Sequence, residues 1–225
     1  VLKTEAPGAA TYAESNGRQK LFDEALKHSG NIICMDSDEY LDGTMQKDEL
    51  EQLLKSNPDT LIYLRWIQYA GKDTIRVDGP WKENYKDRVG SYSKATKFKD
   101  ATMHAEHMPH PGKHGVIGVP DLFIAHLQWL DKPTVAVKQY YWKIADYVNQ
   151  KTHGIETTPA SAYDASVANF EWEYEDFSFP LKVDPEIYST QNLQESYKYK
   201  FIKENIKEHN IPNLNDWGME IHDSK

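Results

Sequence analysis

The stretch "NIICMDSDEYLDG", Asn31 to Gly43, runs an apolar segment straight into three acids within four residues, Asp36, Asp38 and Glu39. Ile32 to Met35 is too short for a helix and rich in isoleucine, so Asn31 to Met35 predicts a short buried strand. Upstream, "ESNGRQKLFDEALKHSGN" predicts a helix capped by Ser15 or Asn16. Its apolar face is Leu21, Phe22, Ala25 and Leu26, and Gly30 follows its end. Downstream, "MQKDELEQLLKSNPD" predicts a second helix with Leu50, Leu53 and Leu54 inward, stopping before Pro58. The acids therefore sit at the carboxyl end of a strand between two helices.

Further along, "TLIYLRWIQYAG" has strand composition, and "TIRVDG" reads as its partner across Gly71-Lys72-Asp73. Residues 81–118 read as irregular, aromatic and rich in histidine. "DLFIAHLQWL" returns to strand composition, Thr134 caps a helix over "TVAVKQYYWKIADYVNQK", and a last helix is expected over Leu193 to His209. Residues 155–190 show little periodicity. This order predicts an α/β domain, a mixed sheet flanked by helices, over residues 1–151, with a helical and irregular extension over 152–225. Ligands of such sheets bind at the carboxyl ends of strands, where Asp36 and Asp38 fall.

The chain of 225 residues is long enough for a substantial core, and 39% hydrophobic with 12% aromatic content argues against disorder. A net charge of -9 argues against a general nucleic-acid binder. The lone cysteine, Cys34, excludes a disulfide framework and a thiolate metal site. No apolar run is long enough for a transmembrane segment, and the opening residues carry no signal-peptide pattern, so a cytoplasmic location is expected.

The acidic loop supports two metal readings. Asp38, Tyr40, Asp42, Gly43 and Glu49 fall at positions 1, 3, 5, 6 and 12 of a calcium-binding EF-hand loop. Tyr40 is a poor calcium ligand, however, and the segment entering the loop is strand-like. The other reading takes Asp36-Ser37-Asp38 as a unit, because residues i and i+2 of an extended segment point the same way. Two carboxylates there suit Mg²⁺ or Mn²⁺, which bind few protein ligands plus phosphate oxygens.

The span "YAESNGRQKLFDEALKHSGNIICMDSDEYLDG" resembles the middle of family 2-like glycosyltransferases with the GT-A fold, a Rossmann-related architecture. There a helix with an Arg near its start precedes a buried strand ending in Asp-x-Asp-Glu. The resemblance continues in order through "TLIYLRWIQYAG", "WKENYKDRVGSY", "ATMHAEHMP" and "LFIAHLQWLDKPTVAVKQYYWK", covering roughly Tyr12 to Lys151. The βαβ unit that opens that fold and binds the base is represented at most by "VLKT".

The resemblance implies a metal-dependent, inverting transfer of a hexosyl or deoxyhexosyl unit from a nucleotide-sugar donor to a glycan or other hydroxyl acceptor. Asp36 and Asp38 would hold Mn²⁺ or Mg²⁺, with His126 completing the shell. Arg18 and Lys138 are the expected cations for the diphosphate, Glu106 the expected base with Asp87 in reserve, and Trp81, Trp66 or Trp129 the wall for a sugar ring. Five of the nine histidines, His104, His107, His110, His114 and His126, lie within 104–126 and raise a zinc-hydrolase reading. The spacing is not His-Glu-x-x-His, and two prolines break any helix that would present them. A non-catalytic interaction domain on a degenerate transferase fold is a further alternative. The oligomeric state is left open.

Overall fold

The computed structural model describes residues 14–71, 73–101, 105–112, 116–130, 132–154, 163, 172–180 and 197–209. Two compact units are present. The first comprises Val1–Leu127 with Glu173–Val183, and the second Gln128–Trp172 with Asp184–Lys225. The boundary expected at residues 151 and 152 falls inside the second unit, near the end of its long helix.

The first unit is a mixed sheet between two helices, which establishes an α/β architecture. Helix α1 (Glu14–Leu26) leads to strand β1 (Asn31–Ile33). Strand β2 (Glu39–Gly43) and helix α2 (Lys47–Ser56) follow, then the long strand β3 (Thr60–Gly71) and its partner β4 (Thr74–Arg76). Strand β5 is Tyr85–Ser91, β6 is Val116–His126 and β7 is Tyr174–Asp176. Strand β3 lies at the centre, with β5 and then β1 on one side and β6 and then β2 on the other. Beyond β5, the same edge of β3 continues into β4 and β7. The β3–β6 pair is parallel and every other pair is antiparallel, so β1, β3 and β6 run in one direction.

Alternation along β3 builds two cores. Ile62 and Leu64 pack with Val89, Leu122 and Ile124 beneath Leu50 and Leu54 of α2. Leu61 faces the other way, with Ile32, Tyr92, Met108 and Phe22 of α1. Phe22 meets Tyr92 edge-on at 4.8 Å, and the Tyr92 hydroxyl donates to the Pro109 carbonyl at 2.7 Å. A strand covered on both faces reads as a continuous apolar run, which is why β3 was legible. Burial of each such side chain contributes roughly 1.5–3 kcal/mol.

Several expectations are corrected. Ser15 lies within α1, and its hydroxyl ties the helix to Ala101 rather than capping it. Leu21 is 51% exposed, outside the apolar face assigned to it. The expected irregular stretch from Trp81 contains β5, and β6 begins at Val116, well before Asp121. Leu127–Leu130 is a 3₁₀ turn, not strand. The segment Asp38 to Glu49, with the spacing of a calcium loop, forms β2 and the start of α2. Asp42 accepts the Gly43 amide, and Glu49 accepts the Gln46 amide at 2.7 Å in the first turn of α2.

The second unit contains helix α3 (Lys132–His153) and helix α4 (Tyr197–His209). Helix α3 begins before Thr134, with Pro133 in its first turn, where the missing amide costs nothing. Tyr141 of α3 meets Phe201 of α4 at 5.1 Å, and the Tyr163 hydroxyl donates to Asp146. The expected helix start at Leu193, and Val1 to Thr4, lie outside the described residues.

Candidate functional site

The loop after β1 runs from one edge of the sheet to the other, because β1 pairs only with β5 and β2 only with β6 among the described residues. It is tied down along the way. The Cys34 amide donates to the Arg88 carbonyl of β5 at 2.8 Å, and the Leu127 amide donates to the Asp38 carbonyl at 2.8 Å. The loop thus lies across the carboxyl ends of β1 and β6 and displays its acids there.

Glu39 organises the cluster. Its side chain is fully buried, and one oxygen accepts the Trp66 indole N–H at 2.7 Å and a guanidinium N–H of Arg88. Its other oxygen accepts the Asp36 amide at 3.0 Å, which closes the loop on itself. Arg88 is also buried and donates from Nη2 to Asp36 at 3.0 Å. In the β3–β5 register Ile62 faces Val89 and Tyr63 faces Asp87, so Arg88 is the extra residue of a bulge. Bulges release a side chain from strict alternation, and adjacent residues Asp87 and Arg88 consequently both reach this cluster.

Asp36 is 41% exposed and meets Arg88 at 3.0 Å, His107 Nε2 at 3.3 Å and Arg18 at 3.8 Å. Arg18 is held chiefly by Glu14 at 2.7 Å. Burial works against its charge, but Glu14 and Asp36 outweigh that and raise its pKa above the ordinary value. The other nitrogen of His107 lies 3.6 Å from Asp87. Asp87 is 13% exposed and accepts the Met108 amide at 3.0 Å. Burial pushes its carboxyl pKa up, against the opposing pull of the Met108 amide and Arg88.

Asp38 and His126 form the other half of the cluster, with Asp38 Oδ2 3.3 Å from His126 Nε2. His126 Nδ1 lies 2.7 Å from the side-chain oxygen of Gln68, whose amide nitrogen donates to the Trp66 carbonyl. Nδ1 therefore carries the hydrogen, and a neutral His126 turns its Nε2 lone pair toward a carboxylate. Two acceptors that close call for a proton or a cation between them. His126 also stacks on Trp66 with ring centroids 4.5 Å apart.

The residues named from sequence divide clearly. Arg18, Asp36, Asp38, Asp87 and His126 converge in the first unit. Glu106 pairs with Lys99 at 3.3 Å and is 42% exposed, more open to solvent than Asp87 at 13%. Trp81 packs on Trp66 at 5.8 Å and under Arg76, at the margin of the cluster. Trp129 is a core ring, 2% exposed and edge-on to Trp172 in the second unit, which removes it as a sugar wall. Lys138 belongs to helix α3 of the second unit. His110 is an exposed loop residue that accepts the Gly112 amide, while His104 and His114 lie outside the described residues.

Sequence reasoning missed Arg88 and Gln68; it named Glu39 without a role of its own and His107 only within the zinc-hydrolase reading. The signal for Arg88 was an arginine entering the apolar-small run Val89-Gly90-Ser91, an improbable surface pattern.

Among the described residues, no three His, Cys, Asp or Glu side chains converge as a ready-made metal cage. The donor set suits a divalent ion that keeps most of its shell for other oxygens, because Asp38 and His126 offer one carboxylate and one imidazole lone pair facing each other. Around them the carboxylates of Glu14, Asp36, Asp38, Glu39 and Asp87 outnumber the cations Arg18, Lys86 and Arg88. Compared with known proteins, the chain matches no family model, no curated protein and no solved structure. No helix among the described residues is long and apolar enough to cross a membrane.

Proposed function

We propose that the chain carries the catalytic site of a metal-dependent glycosyltransferase of GT-A-like architecture. It would move a sugar from a nucleotide-sugar donor to an acceptor hydroxyl with inversion. The observation that carries this reading is the acidic loop crossing the sheet end, with Asp38 facing His126 and Asp36 pinned by Arg88.

Asp38 and His126 are the residues that would hold Mn²⁺ or Mg²⁺, which when bound neutralises charge building on the leaving diphosphate. Asp36 is exposed enough to face the donor, and its contacts with Arg88 and His107 fix its direction before substrate arrives. Arg18 adds positive charge beside the same loop. Asp87 is the acceptor base favoured by environment, since burial raises its proton affinity toward the range a base needs. The acceptor oxygen bonds to the anomeric carbon as the carbon–phosphate-oxygen bond breaks. The acceptor proton passes to Asp87, and the leaving diphosphate takes the electron pair. Glu106, paired with Lys99, is the less suitable base.

A thermal-shift panel of UDP, GDP and their sugar derivatives, with and without Mn²⁺, tests the reading. A ligand present at 100 times its dissociation constant should stabilise the fold by about 2.7 kcal/mol. The expected result is a Mn²⁺-dependent shift that Asp38→Asn and His126→Ala each remove. The absence of any nucleotide-dependent shift in the wild type would defeat it.

A further inference from the structure

Gln68 is fully buried in the long strand β3, between Ile67 and Tyr69. In the sheet register it faces Arg76 of β4 on one side and His126 of β6 on the other, and His126 in turn faces Glu39 of β2. Residues directly opposite in register share a face, so Arg76, Gln68, His126 and Glu39 form a polar row across four strands. The charged ends of the row have counter-charges of their own. Arg76 donates to both oxygens of Asp78 at 2.6 Å, and Glu39 accepts from Arg88. Gln68 carries no charge, and a side-chain amide is costly to bury unless its two ends are hydrogen-bonded.

Both ends are used, in an order that fixes a hydrogen. The Trp66 carbonyl can only accept, so the amide nitrogen of Gln68 lies on its side, at 3.3 Å. That leaves Oε1 turned toward Nδ1 of His126 at 2.7 Å. An acceptor there requires the hydrogen on Nδ1, and Nε2 is left 3.3 Å from Asp38. The backbone of β3 thus decides which imidazole nitrogen meets the carboxylate, while stacking on Trp66 sets the plane of the ring. We propose that Gln68 is a positioning residue, which by holding the hydrogen on Nδ1 of His126 reserves Nε2, with Asp38, for a divalent cation. Groups that hold the second nitrogen of a metal-binding histidine fix its tautomer and orientation, and losing them lowers metal affinity about 10–100-fold. The part of the cation rests on the glycosyl-transfer reading, whereas the placement of the hydrogen stands apart from it.

Long-range proton–nitrogen correlation spectra of the full chain read the hydrogen directly, with the His126 ring signals assigned by their loss in His126→Gln. Nδ1 of His126 should be protonated with and without Mg²⁺. A ring whose sole hydrogen is on Nε2 would overturn the proposal. In Gln68→Met, which keeps the length and removes the acceptor, Nδ1 should lose its hydrogen, and a Nδ1 signal unchanged from the wild type would count against the role.

Mn²⁺ affinity, measured by electron paramagnetic resonance in the presence of UDP or GDP, provides the second readout. Gln68→Met should bind Mn²⁺ about 10–100-fold more weakly than the wild type. Gln68→Glu, which keeps an oxygen toward Nδ1, should hold Mn²⁺ at least as tightly as the wild type. Equal affinity in Gln68→Met and the wild type, or a loss in Gln68→Glu as large as in Gln68→Met, overturns the proposal. So does a Gln68→Met chain that melts lower yet keeps both the Nδ1 hydrogen and the wild-type affinity, the mark of a purely structural amide. If the wild type binds no Mn²⁺ with either nucleotide, the transfer reading fails and the Nδ1 signals alone decide. The wild-type Nδ1 signal also decides should Gln68→Met not fold.

Discussion

Arg88 shows how much one buried side chain can control. It is held by Asp36 and by the fully buried Glu39, while its Nε and Nη1 have no hydrogen-bond partner among the described residues. Removing it strands Glu39 as an unpaired buried charge. Arg88→Ala is expected to cost about 3–5 kcal/mol in denaturant unfolding, since breaking a buried pair leaves one charge uncompensated. Asp87 should behave in the opposite sense. Burial raises its folded pKa above the unfolded one, so the ionised form is penalised in the fold above the folded value. The penalty fades as pH falls toward the unfolded value. Asp87→Asn should therefore be at least as stable as the wild type at neutral pH, yet lose about 10²–10⁴-fold in sugar transfer if Asp87 is the base. The wild-type rate should fall as acid protonates Asp87. Glu106→Gln should leave both rate and profile near wild type, and a collapse there would return the base to Glu106. The acids and His126 were legible because each stands out from its strand or loop. Arg88 was harder to read, because its only mark in "YKDRVGS" is the apolar-small run that follows it, and its inward direction depends on the bulge.

At the scale of elements, legibility followed burial. Strand β3 and helix α2 announced themselves because their apolar residues meet a core at the period of their own geometry. Strands β2 and β5 did not, because "EYLDG" and "YKDRVGS" mix charged and apolar residues without strict alternation, and β5 carries a bulge at Arg88. Gly43 closes β2 and shows what that strand requires. Its φ is +141, and a side-chain carbon placed there would lie 2.2 Å from the Asp121 carbonyl oxygen. That carbonyl accepts the Thr44 and Met45 amides where the β3–β6 register shifts, so it has little room to retreat. Gly43→Ala is expected to destabilise the chain by roughly 1–3 kcal/mol in chemical denaturation. An unchanged midpoint would mean that the β2–β6 junction can relax.

Across the whole molecule, every residue of the cluster falls in the first compact unit, and the second contributes helices α3 and α4 with their own aromatic contacts. Helix α3 was legible from its periodicity, whereas the partition of the chain was not. The first unit takes a strand, β7, from between the two stretches of the second, and an exchange of that kind leaves no local mark in composition. The loop bearing Asp36 and Asp38 is fastened at opposite edges of the sheet and stapled at Cys34 and Asp38 in between. A segment secured at both ends has no free arm to swing. Its acids hold their bearing whether or not a substrate is near, and little reorganisation is left to accomplish when charge begins to move. Any gating of access would then fall to other parts of the chain, and encounter with ligand would not have to wait for this loop to fold.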